Sequence, residues 1–443
     1  MHTVLIALLL FASTNEIQAR EAMKPAEEVG QIIRDLEGIH VGQQDAPCTL
    51  DIQNDLPLSN LQPLYLHPNT DSYWLPTAKG ELQIPRGANI ELYCTHSFSI
   101  GNSDGSYSHN PSIHVRCLHD KTFDWEGGKW ELGDFTCAKP LTYTVERMNQ
   151  SCGDGDVASH GRVYRVGYNI SAGRFVRTIE LCHDADQLRT HYASYQLVPA
   201  NALFQRQVKR VKFSSAGHFS GYDMNDLYSQ KNQLKQVAKL VKQPIASAHV
   251  SSFLKEGQYL TRGHLASKAD FIYASQQRSS FNYLNVAPQW QRFNNGHWQI
   301  VEDKMRQLVA RLDLSVTVYT GTYGVMPVPQ QSEAAGFHLA THAEGEGVLP
   351  VPRLYYRVLI DNQNRRRGLA LVGVNNPHAT LSEIEDSYII CPPVDVHHVR
   401  VLLRWLQVED LKKGYLYACR VADLAKAVGH LPLQLEDVNE LIE

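Results

Sequence analysis

The strongest constraint on the fold of this chain is the order of residues within positions 259–312. Residues 259–266 read Tyr-Leu-Thr-Arg-Gly-His-Leu-Ala, residues 285–289 read Asn-Val-Ala-Pro-Gln, and residues 294–302 read Asn-Asn-Gly-His-Trp-Gln-Ile-Val-Glu. Together with an arginine one helical turn further on, they place one imidazole, one amide oxygen, one carboxylate and two guanidinium groups in a short length of chain. No other segment of the sequence is as specific.

The apolar spacing of this segment predicts two strands, over 256–266 and 281–286, and then a helix over 297–312. His264 would lie on the first strand, and Asn294 would lie just before the helix, where its amide oxygen is accessible to a cation. A strand–strand–helix unit with these two side chains forms a compact metal site.

The polar groups of the segment fit metal-assisted cleavage of a phosphodiester bond. His264 has the intrinsic pKa of a general base near neutral pH. Glu302 and Arg306 are four residues apart, so they would lie on one face of the helix. For these two residues, an ordinary ion pair on the helix surface is the alternative.

In this order, the residues resemble the signature of the DNA/RNA non-specific endonucleases, which are ββα-metal or His-Me finger nucleases. The resemblance rests on Arg-Gly-His at 262–264, on Val-Ala-Pro-Gln at 286–289, and on the Asn, Gly, Trp and Glu of 294–302. It is nearest to the secreted double-strand-specific nucleases of arthropods. One position departs from the family, because the aspartate that usually precedes Arg-Gly-His is Thr261 here.

The resemblance implies a role in hydrolysis for three residues. His264 would act as the general base that activates water. Asn294 would be the single direct protein ligand of Mg²⁺, for which Mn²⁺ is an expected substitute, and Glu302 would hold a water bound to the metal. The expected products carry 5′-phosphates.

The resemblance also implies residues that bind phosphate and residues that support the site. Arg262 and Arg306 would bind phosphate oxygens as planar, bidentate donors, and both are expected catalytic residues. Asn285 and Gln289 match positions that brace the site through hydrogen bonds.

The chain is therefore expected to be a secreted, Mg²⁺-dependent endonuclease that hydrolyses nucleic acids with little sequence specificity. Its chemistry addresses the backbone, so double-stranded RNA, DNA or both are the expected substrates. The alternative is a protein that binds or takes up nucleic acid on the same scaffold without cleaving it. Retention of His264, Asn294 and Glu302 together argues against that alternative.

The overall charge does not favour nucleic-acid binding, so a local basic surface is needed. The chain carries 42 Lys and Arg against 46 Asp and Glu, a formal net charge of −4, whereas many nucleic-acid-binding proteins are basic. A dense basic run within 204–212 would follow the phosphates of a substrate; a solvated strand edge is the alternative. The basic residues of this run are Arg206, Lys209, Arg210 and Lys212.

The N-terminus predicts secretion. Residues 1–19 contain an apolar run of about ten residues, which fits a cleaved signal peptide and is too short to span a bilayer. No later segment has the apolar length of a membrane helix, so we expect a soluble, extracellular protein without a membrane partner. Eight cysteines then predict up to four disulfides with the pairing left open, and sequons at Asn149 and Asn169 predict glycosylation.

The rest of the sequence predicts two folded parts. Residues 20–140 carry four of the eight cysteines and short apolar runs separated by turn residues, which indicates a small, disulfide-stapled, β-rich module. Residues 141–443 mix strands and helices without repeated βαβ units, which indicates an α+β nuclease domain. Three questions stay open: whether the module only covers the domain or recognises a partner of its own, whether removal of an N-terminal segment activates the protein, and the oligomeric state.

Periodicity and composition predict individual elements in both parts. In the module, a helix is expected over 20–38 and strands over 81–84, 89–94 and 113–117. In the domain, strands are expected over 162–170, 174–181, 314–320, 353–360 and 369–374, and helices over 226–241, 396–406 and near 421–428.

Overall fold

The structure is a computed structural model of the chain. It describes residues 46–101, 106–153, 155–327, 336–342, 345–395 and 410–442. The predicted signal peptide and the two helices predicted over 20–38 and 396–406 lie outside these residues. Among the described helices, none is long and apolar enough to cross a membrane.

Short antiparallel strands form the N-terminal module. Alternate residues of its longest strand are buried, so that one face of the sheet turns to the interior. Two disulfides, Cys48–Cys117 and Cys94–Cys137, join parts of the module. The strands are β1 (Cys48–Asp51), β2 (Leu64–Leu66), β3 (Glu81–Ile84), β4 (Asn89–Tyr93), β5 (Phe98–Ile100), β6 (Ser106–Ser108), β7 (Ser112–His119), β8 (Thr122–Trp125), β9 (Gly128–Trp130) and β10 (Phe135–Cys137).

These strands make two small sheets and one isolated pair. The larger sheet has the order β2-β4-β7-β8-β9, the smaller one has the order β10-β5-β6, and β1 pairs with β3. The predicted β-rich character of the module is confirmed, and each of the three strands predicted there is present.

The apolar core of the module continues into the rest of the chain. Tyr168 and Tyr273 belong to the same buried cluster as the apolar residues of the module. A charged contact also joins the two parts, because Arg174 donates to the buried carboxylate of Glu91 at 3.0 Å. Cys48–Glu443 forms one compact unit, and the expected domain boundary after residue 140 stays a prediction.

A nine-stranded sheet forms the centre of the second part. Its strands are β11 (Thr144–Ser151), β12 (Arg162–Ser171), β13 (Arg174–Asp184), β14 (Arg189–Leu197), β17 (Val316–Tyr323), β20 (Leu354–Asp361), β21 (Arg367–Val374), β22 (Leu416–Cys419) and β23 (Glu440–Leu441). The order is β11-β12-β13-β14-β17-β20-β21-β22, all antiparallel, with β23 parallel to β21. The predicted α+β fold is confirmed, and all five strands predicted for the domain are present.

Short helices and two further disulfides surround this sheet. The disulfides join Cys152 to Cys182 and Cys391 to Cys419, which completes the four expected bridges. The helices are α1 (Gly155–His160), α2 (Met224–Leu227), α3 (Gln230–Leu240), α4 (Ala248–Phe253), α5 (Ala274–Ser279), α6 (Gln291–Phe293), α7 (Gln299–Arg311), α8 (Leu381–Ser387) and α9 (Val421–Val428). A separate strand pair is formed by β18 (His338–Thr341) and β19 (Gly347–Pro350).

One predicted helix is divided in the structure. The helix expected over 226–241 is two helices, α2 and α3, so its predicted continuity was wrong. The break has a local cause: the Ser229 side chain accepts a hydrogen bond from the backbone N–H of Asn232 and so starts a new helix. The helix predicted near 421–428 is confirmed as α9.

The two strands of the strand–strand–helix unit form a sheet of their own and do not pair with the main sheet. β15 (Leu260–His264) and β16 (Val286–Trp290) form an antiparallel pair in which His264 is opposite Val286. The chain then passes through α6 and a π-helical turn, Asn294–Trp298, before it enters α7. The core face of α7 packs Val301 and other apolar side chains into the main buried cluster.

The second strand of this unit was predicted over 281–286, and that prediction was wrong. The Asn282 side chain accepts a hydrogen bond from the backbone of Asn285 and caps a 3₁₀ turn, so the strand begins only after it. Pro288 cannot donate to a strand ladder, and it is accommodated because β16 pairs with β15 alone.

Candidate active site

The strand–strand–helix unit opens onto a pocket of about 430 Å³. All five of the expected catalytic and metal-binding residues line it, together with one basic residue of the 204–212 run. The lining residues are Phe204, Arg210, Arg262, His264, Ser267, Lys268, Ala269, Asn294, Asn295, Gln299, Glu302, Asp303 and Arg306.

His264 lies at the end of β15 in an apolar setting. Its side chain is buried, and the rings of Phe213 and Phe281 lie 5.2 and 5.0 Å from the imidazole. Burial lowers the pKa of His264 to about 3, and the positive charge of Arg210 adds to this effect. Its Nε2 has no hydrogen-bond partner among the described residues. At neutral pH the ring is therefore uncharged, with a nitrogen lone pair free to accept a proton.

Asn294 is held in a defined orientation at the start of the π-helical turn. Its Nδ2 donates to the hydroxyl of Thr261 on β15 at 3.0 Å. The same hydroxyl donates to the carbonyl of Gln289 on β16, also at 3.0 Å. The amide oxygen of Asn294 is thus on the side away from Thr261.

Glu302 lies in the first turn of α7. Its carboxylate accepts a hydrogen bond from Ser267 Oγ at 2.9 Å. Burial raises the pKa of Glu302 to about 7, repulsion from Asp270 adds to the rise, and Arg357 and Arg306 oppose it. A cation beside this carboxyl would favour its ionised form.

A buried ion network supports the base of the pocket. Asp270 is fully buried and accepts hydrogen bonds from Arg306 at 2.8 Å, Arg357 at 2.9 Å and the Tyr195 hydroxyl at 2.6 Å. Despite the cost of burying the carboxylate, the charges of Arg357 and Arg306 hold the pKa of Asp270 below its usual range. The sequence analysis did not identify Asp270, because nothing in the local pattern indicates its partners.

Arg306 lines the pocket but is anchored to protein carboxylates. Besides Asp270, it contacts Asp303 at 3.3 Å, and its side chain is 7% exposed. The alternative of a surface ion pair between Glu302 and Arg306 is not what the structure shows, since Arg306 pairs with these two aspartates. The network orients the Arg306 guanidinium, and the side chain also lines the pocket.

Arg262 is held at the pocket by polar and aromatic contacts. Its Nε donates to the Tyr283 hydroxyl at 2.9 Å and its Nη2 to the Asn225 side chain at 3.2 Å. The guanidinium carbon also lies 5.2 Å from the ring centre of Tyr228 and 5.7 Å from that of Phe213. These contacts fix the direction of its remaining donors.

The two residues expected to brace the site behave differently. The Asn285 side chain donates to the carbonyls of Ala266 and Ser280 and accepts from the Ala266 N–H, which ties together the chain after β15 and the turn before β16. Gln289 is fully buried and has no side-chain hydrogen-bond partner among the described residues. It packs instead over Gly263, where an added Cβ would lie 2.3 Å from its Oε1.

The basic run lies on an exposed loop, so it is not the strand edge of the alternative interpretation. Arg210 lines the pocket, with its guanidinium 5.1 Å from the ring centre of Phe281. Arg206 lines a neighbouring pocket. Lys209 and Lys212 are exposed on the same loop and are not among the lining residues of these two pockets.

Lys268 is a further cation that the sequence analysis missed. It lines the pocket, and its Nζ donates to the carbonyl of Val208 at 2.6 Å, which fastens the basic loop to the turn after β15. Burial lowers the pKa of Lys268, and Arg210 adds to this effect. The sequence could have indicated Lys268, because it follows the Arg-Gly-His motif by only four residues.

The donor groups of the pocket fit a hard divalent cation. The amide oxygen of Asn294 and the carboxylate of Glu302 are oxygen donors, which Mg²⁺ prefers. Among the described residues, no group of three or more His, Cys, Asp or Glu forms a metal cluster. With only these two oxygen donors named, water would fill the remaining coordination positions of a hard divalent cation.

The sequence model of the DNA/RNA non-specific endonucleases matches residues 159–424 of the chain. The chain belongs to this family. It is therefore an enzyme that hydrolyses nucleic acids, and its family is one of divalent-metal-dependent nucleases. The predicted family, the ββα-metal fold class and the enzymatic class are confirmed.

Curated relatives of this endonuclease are insect salivary proteins. The "Salivary endonuclease" of Lutzomyia longipalpis is 24% identical over 347 residues, which cover 78% of this chain and 76% of the relative. The "Salivary protein Tsal1" of Glossina morsitans morsitans is 22% identical and covers 91% of this chain and 96% of the relative. A crystal structure of an EndoG/EndoGI complex aligns with 45% of this chain and 71% of its own at 19% identity, with a TM-score of only 0.30.

Proposed function

We propose that this endonuclease is secreted, uses Mg²⁺, and cleaves the backbone of double-stranded RNA, double-stranded DNA or both to leave 5′-phosphates. The observation that carries the proposal is a single pocket that contains an uncharged, buried imidazole, His264, and the oriented amide oxygen of Asn294. The imidazole has a lone pair that can accept a proton, and the amide oxygen has lone pairs that can bind a cation.

In the proposed reaction, His264 takes the proton of the attacking water. The ring is uncharged at neutral pH, so its lone pair is available for this proton. Its apolar neighbours and Arg210 oppose the charged ring that the step forms. Asn294 would hold the cation directly, and Glu302 would hold it through water. When bound, the cation neutralises charge on the phosphate and on the departing 3′ oxygen.

The cationic side chains of the pocket would hold the phosphates of the substrate. Arg262 and Arg306 are each oriented by contacts with the protein, so little side-chain entropy is lost when a phosphate binds. Arg210 and Lys268 also line the pocket and add positive charge to it. Contacts of this kind read the backbone and not the bases, which supports low sequence specificity.

Two further observations support secretion. The four disulfides leave no free cysteine among the described residues, and disulfides persist in oxidising compartments. The curated relatives are named as salivary proteins.

The test is a gel assay of the folded, disulfide-bonded protein on matched duplex RNA, duplex DNA and single strands, with Mg²⁺ or with EDTA. His264→Ala is expected to lower the cleavage rate by about 100-fold or more, the scale for losing a general base, with duplex binding kept. His119→Ala, which changes an exposed histidine of the module, is the matched control and should cleave at the wild-type rate.

The outcomes separate the possibilities. Cleavage that needs both Mg²⁺ and His264 supports the proposal and ranks the substrates. Cleavage by His264→Ala at the wild-type rate would show that the mechanism is wrong. Duplex binding without cleavage of any substrate would favour a protein that binds or takes up nucleic acid.

A further inference from the structure

We propose that the Thr261 hydroxyl is the positioning group that turns the Asn294 amide so that its oxygen, and not its nitrogen, faces the cation. The inference rests on the metal role of Asn294 under the proposed function. It concerns the one position where the chain departs from the usual Asp-Arg-Gly-His of its family.

The orientation follows from the protons of the hydrogen-bond chain. A hydroxyl carries one proton, and that of Thr261 is given to the Gln289 carbonyl at 3.0 Å. Toward Asn294, also at 3.0 Å, the hydroxyl can then only accept. The atom of the amide that faces Thr261 must therefore be the nitrogen, since an oxygen there would place two acceptors in contact.

The surroundings make this contact a fixed one. Thr261 is the second residue of β15 and lies opposite Gln289 of β16, so the backbone positions of both are set by the strand pair. A β-branched side chain is also stiff about its first torsion. The hydroxyl is thus a fixed acceptor on the strand pair, and it reaches the start of the π-helical turn where Asn294 lies.

Without this acceptor, the amide would lose the preference that the hydroxyl imposes. The two ends of an asparagine amide have nearly the same shape but opposite hydrogen-bonding character. A half-turn of the amide would present N–H groups to a cation, which repel it. The Thr261 hydroxyl therefore selects the orientation that binds metal.

The experiment measures Mn²⁺ binding to the full-length protein without nucleic acid, by isothermal titration and by the electron paramagnetic resonance of free Mn²⁺. Thr261→Val keeps the branched shape and removes the acceptor, and it is expected to weaken binding by roughly 10- to 100-fold, the scale for a lost partner of a metal ligand. Thr261→Ser keeps the hydroxyl and should bind within about twofold of wild type. Thr261→Ala serves in place of the valine variant if thermal unfolding shows that the valine variant is not folded.

A double-mutant cycle with Asn294→Asp separates orientation from structural damage. A carboxylate has two equivalent oxygens, so it has no wrong orientation for Thr261 to prevent. In the Asn294→Asp background, Thr261→Val should therefore change Mn²⁺ affinity by less than about threefold. The same large loss in both backgrounds would show a general structural effect and overturn the proposal.

Asn294→Ala distinguishes this proposal from the proposed function. If Asn294→Ala weakens Mn²⁺ binding and Thr261→Val does not, the positioning role of Thr261 is overturned and the metal role of Asn294 stands. If Asn294→Ala leaves Mn²⁺ affinity unchanged, Asn294 is not the metal ligand, and both are overturned.

Discussion

Gly263 shows how closely the residues around the catalytic candidates are packed. It lies between Arg262 and His264 on β15, where an added Cβ would lie 2.3 Å from Oε1 and 2.5 Å from Cβ of Gln289, and 2.8 Å from the Tyr355 hydroxyl. Only glycine leaves room for this contact. The close approach of the two strands therefore depends on the absence of a side chain at Gly263.

We expect Gly263→Ala to destabilise the fold and move His264. Overpacking of a filled interior costs about 1–3 kcal/mol, so the melting temperature should fall and the cleavage rate with it. Gly133→Ala is the control, because an added Cβ there would lie at an ordinary 3.5 Å from the nearest atom. Thermal unfolding of both variants is the measurement, and equal melting temperatures would contradict this account of Gly263.

The sequence predicts the residues of the site that lie in one short segment. His264, Asn294 and Glu302 share a pocket as expected, because spacing along two strands and a helix limits where their side chains can be. It does not predict the partners of Asp270, since Tyr195 and Arg357 lie 75 and 87 residues away along the chain. Such partners are brought together only by the complete sheet.

At the scale of elements, Asp270 links the helix of the site to the central sheet. Its carboxylate lies in the turn after β15 and binds Arg306 of α7, Arg357 of β20 and Tyr195 of β14. Two buried guanidinium groups thus depend on one buried carboxylate. Removing one partner of such a network leaves a charge without compensation, which is costly in a nonpolar interior.

We expect Asp270→Asn to lower the free energy of unfolding by about 3–5 kcal/mol, the range for breaking a buried pair. Asp303→Asn is the control, because Asp303 also contacts Arg306 but is 51% exposed, and exposed pairs contribute about 1 kcal/mol or less. Urea unfolding at neutral pH measures both. A loss for Asp270→Asn no larger than that for Asp303→Asn would contradict the central place given to this carboxylate.

Polar side chains explain one strand that the sequence analysis missed and one that it misplaced. The apolar pattern predicted strands such as β20 and β21, whose buried residues are mainly apolar. β14 was missed because it buries Thr190 and His191, polar side chains that hide its alternation. The misplaced strand of the site follows a turn capped by the Asn282 side chain, and such capping overrides local strand preference.

At the scale of the whole molecule, the N-terminal module and the sheet share one buried cluster, so we expect the nuclease part not to fold without the module. Removing residues 20–140 would expose Tyr168, Val176, Ile272 and Tyr273 of that cluster. We therefore expect the truncated chain to be poorly secreted, aggregated, or without a cooperative unfolding transition. Gel filtration and thermal unfolding measure this. A truncated protein that unfolds cooperatively and cleaves nucleic acid would show instead that the module is an independent unit.

Four histidines are buried among the residues that the structure describes, and this should make the molecule sensitive to acid. His183, His191, His264 and His430 are each 9% exposed or less. Burial lowers their pKa values to about 3, 2, 3 and 3 from an ordinary value near 6.5, and the charge of Arg189 contributes for His191 and His430. Below pH 6.5 the unfolded chain therefore takes up protons that the folded chain does not, so stability is lost as the pH falls.

The raised pKa of Glu302 acts in the opposite direction between about pH 4.5 and 7, because its folded form holds a proton that the unfolded form releases. For these five groups alone, four histidines less one glutamate leave a difference of about three protons, which corresponds to about 4 kcal/mol per pH unit once the unfolded histidines are charged. Urea unfolding at pH 7.5, 6.5 and 5.5 should show the free energy of unfolding falling ever more steeply as the pH is lowered.

His191→Phe should reduce that pH dependence by about 1.4 kcal/mol per pH unit, because it removes one titrating group. The variant loses no side-chain hydrogen bond, because neither ring nitrogen of His191 has a partner among the described residues. His119→Gln, at an exposed position, should leave the slope unchanged, and equal stability of the wild-type protein at pH 7.5 and 5.5 would contradict the assignment of these histidines as neutral.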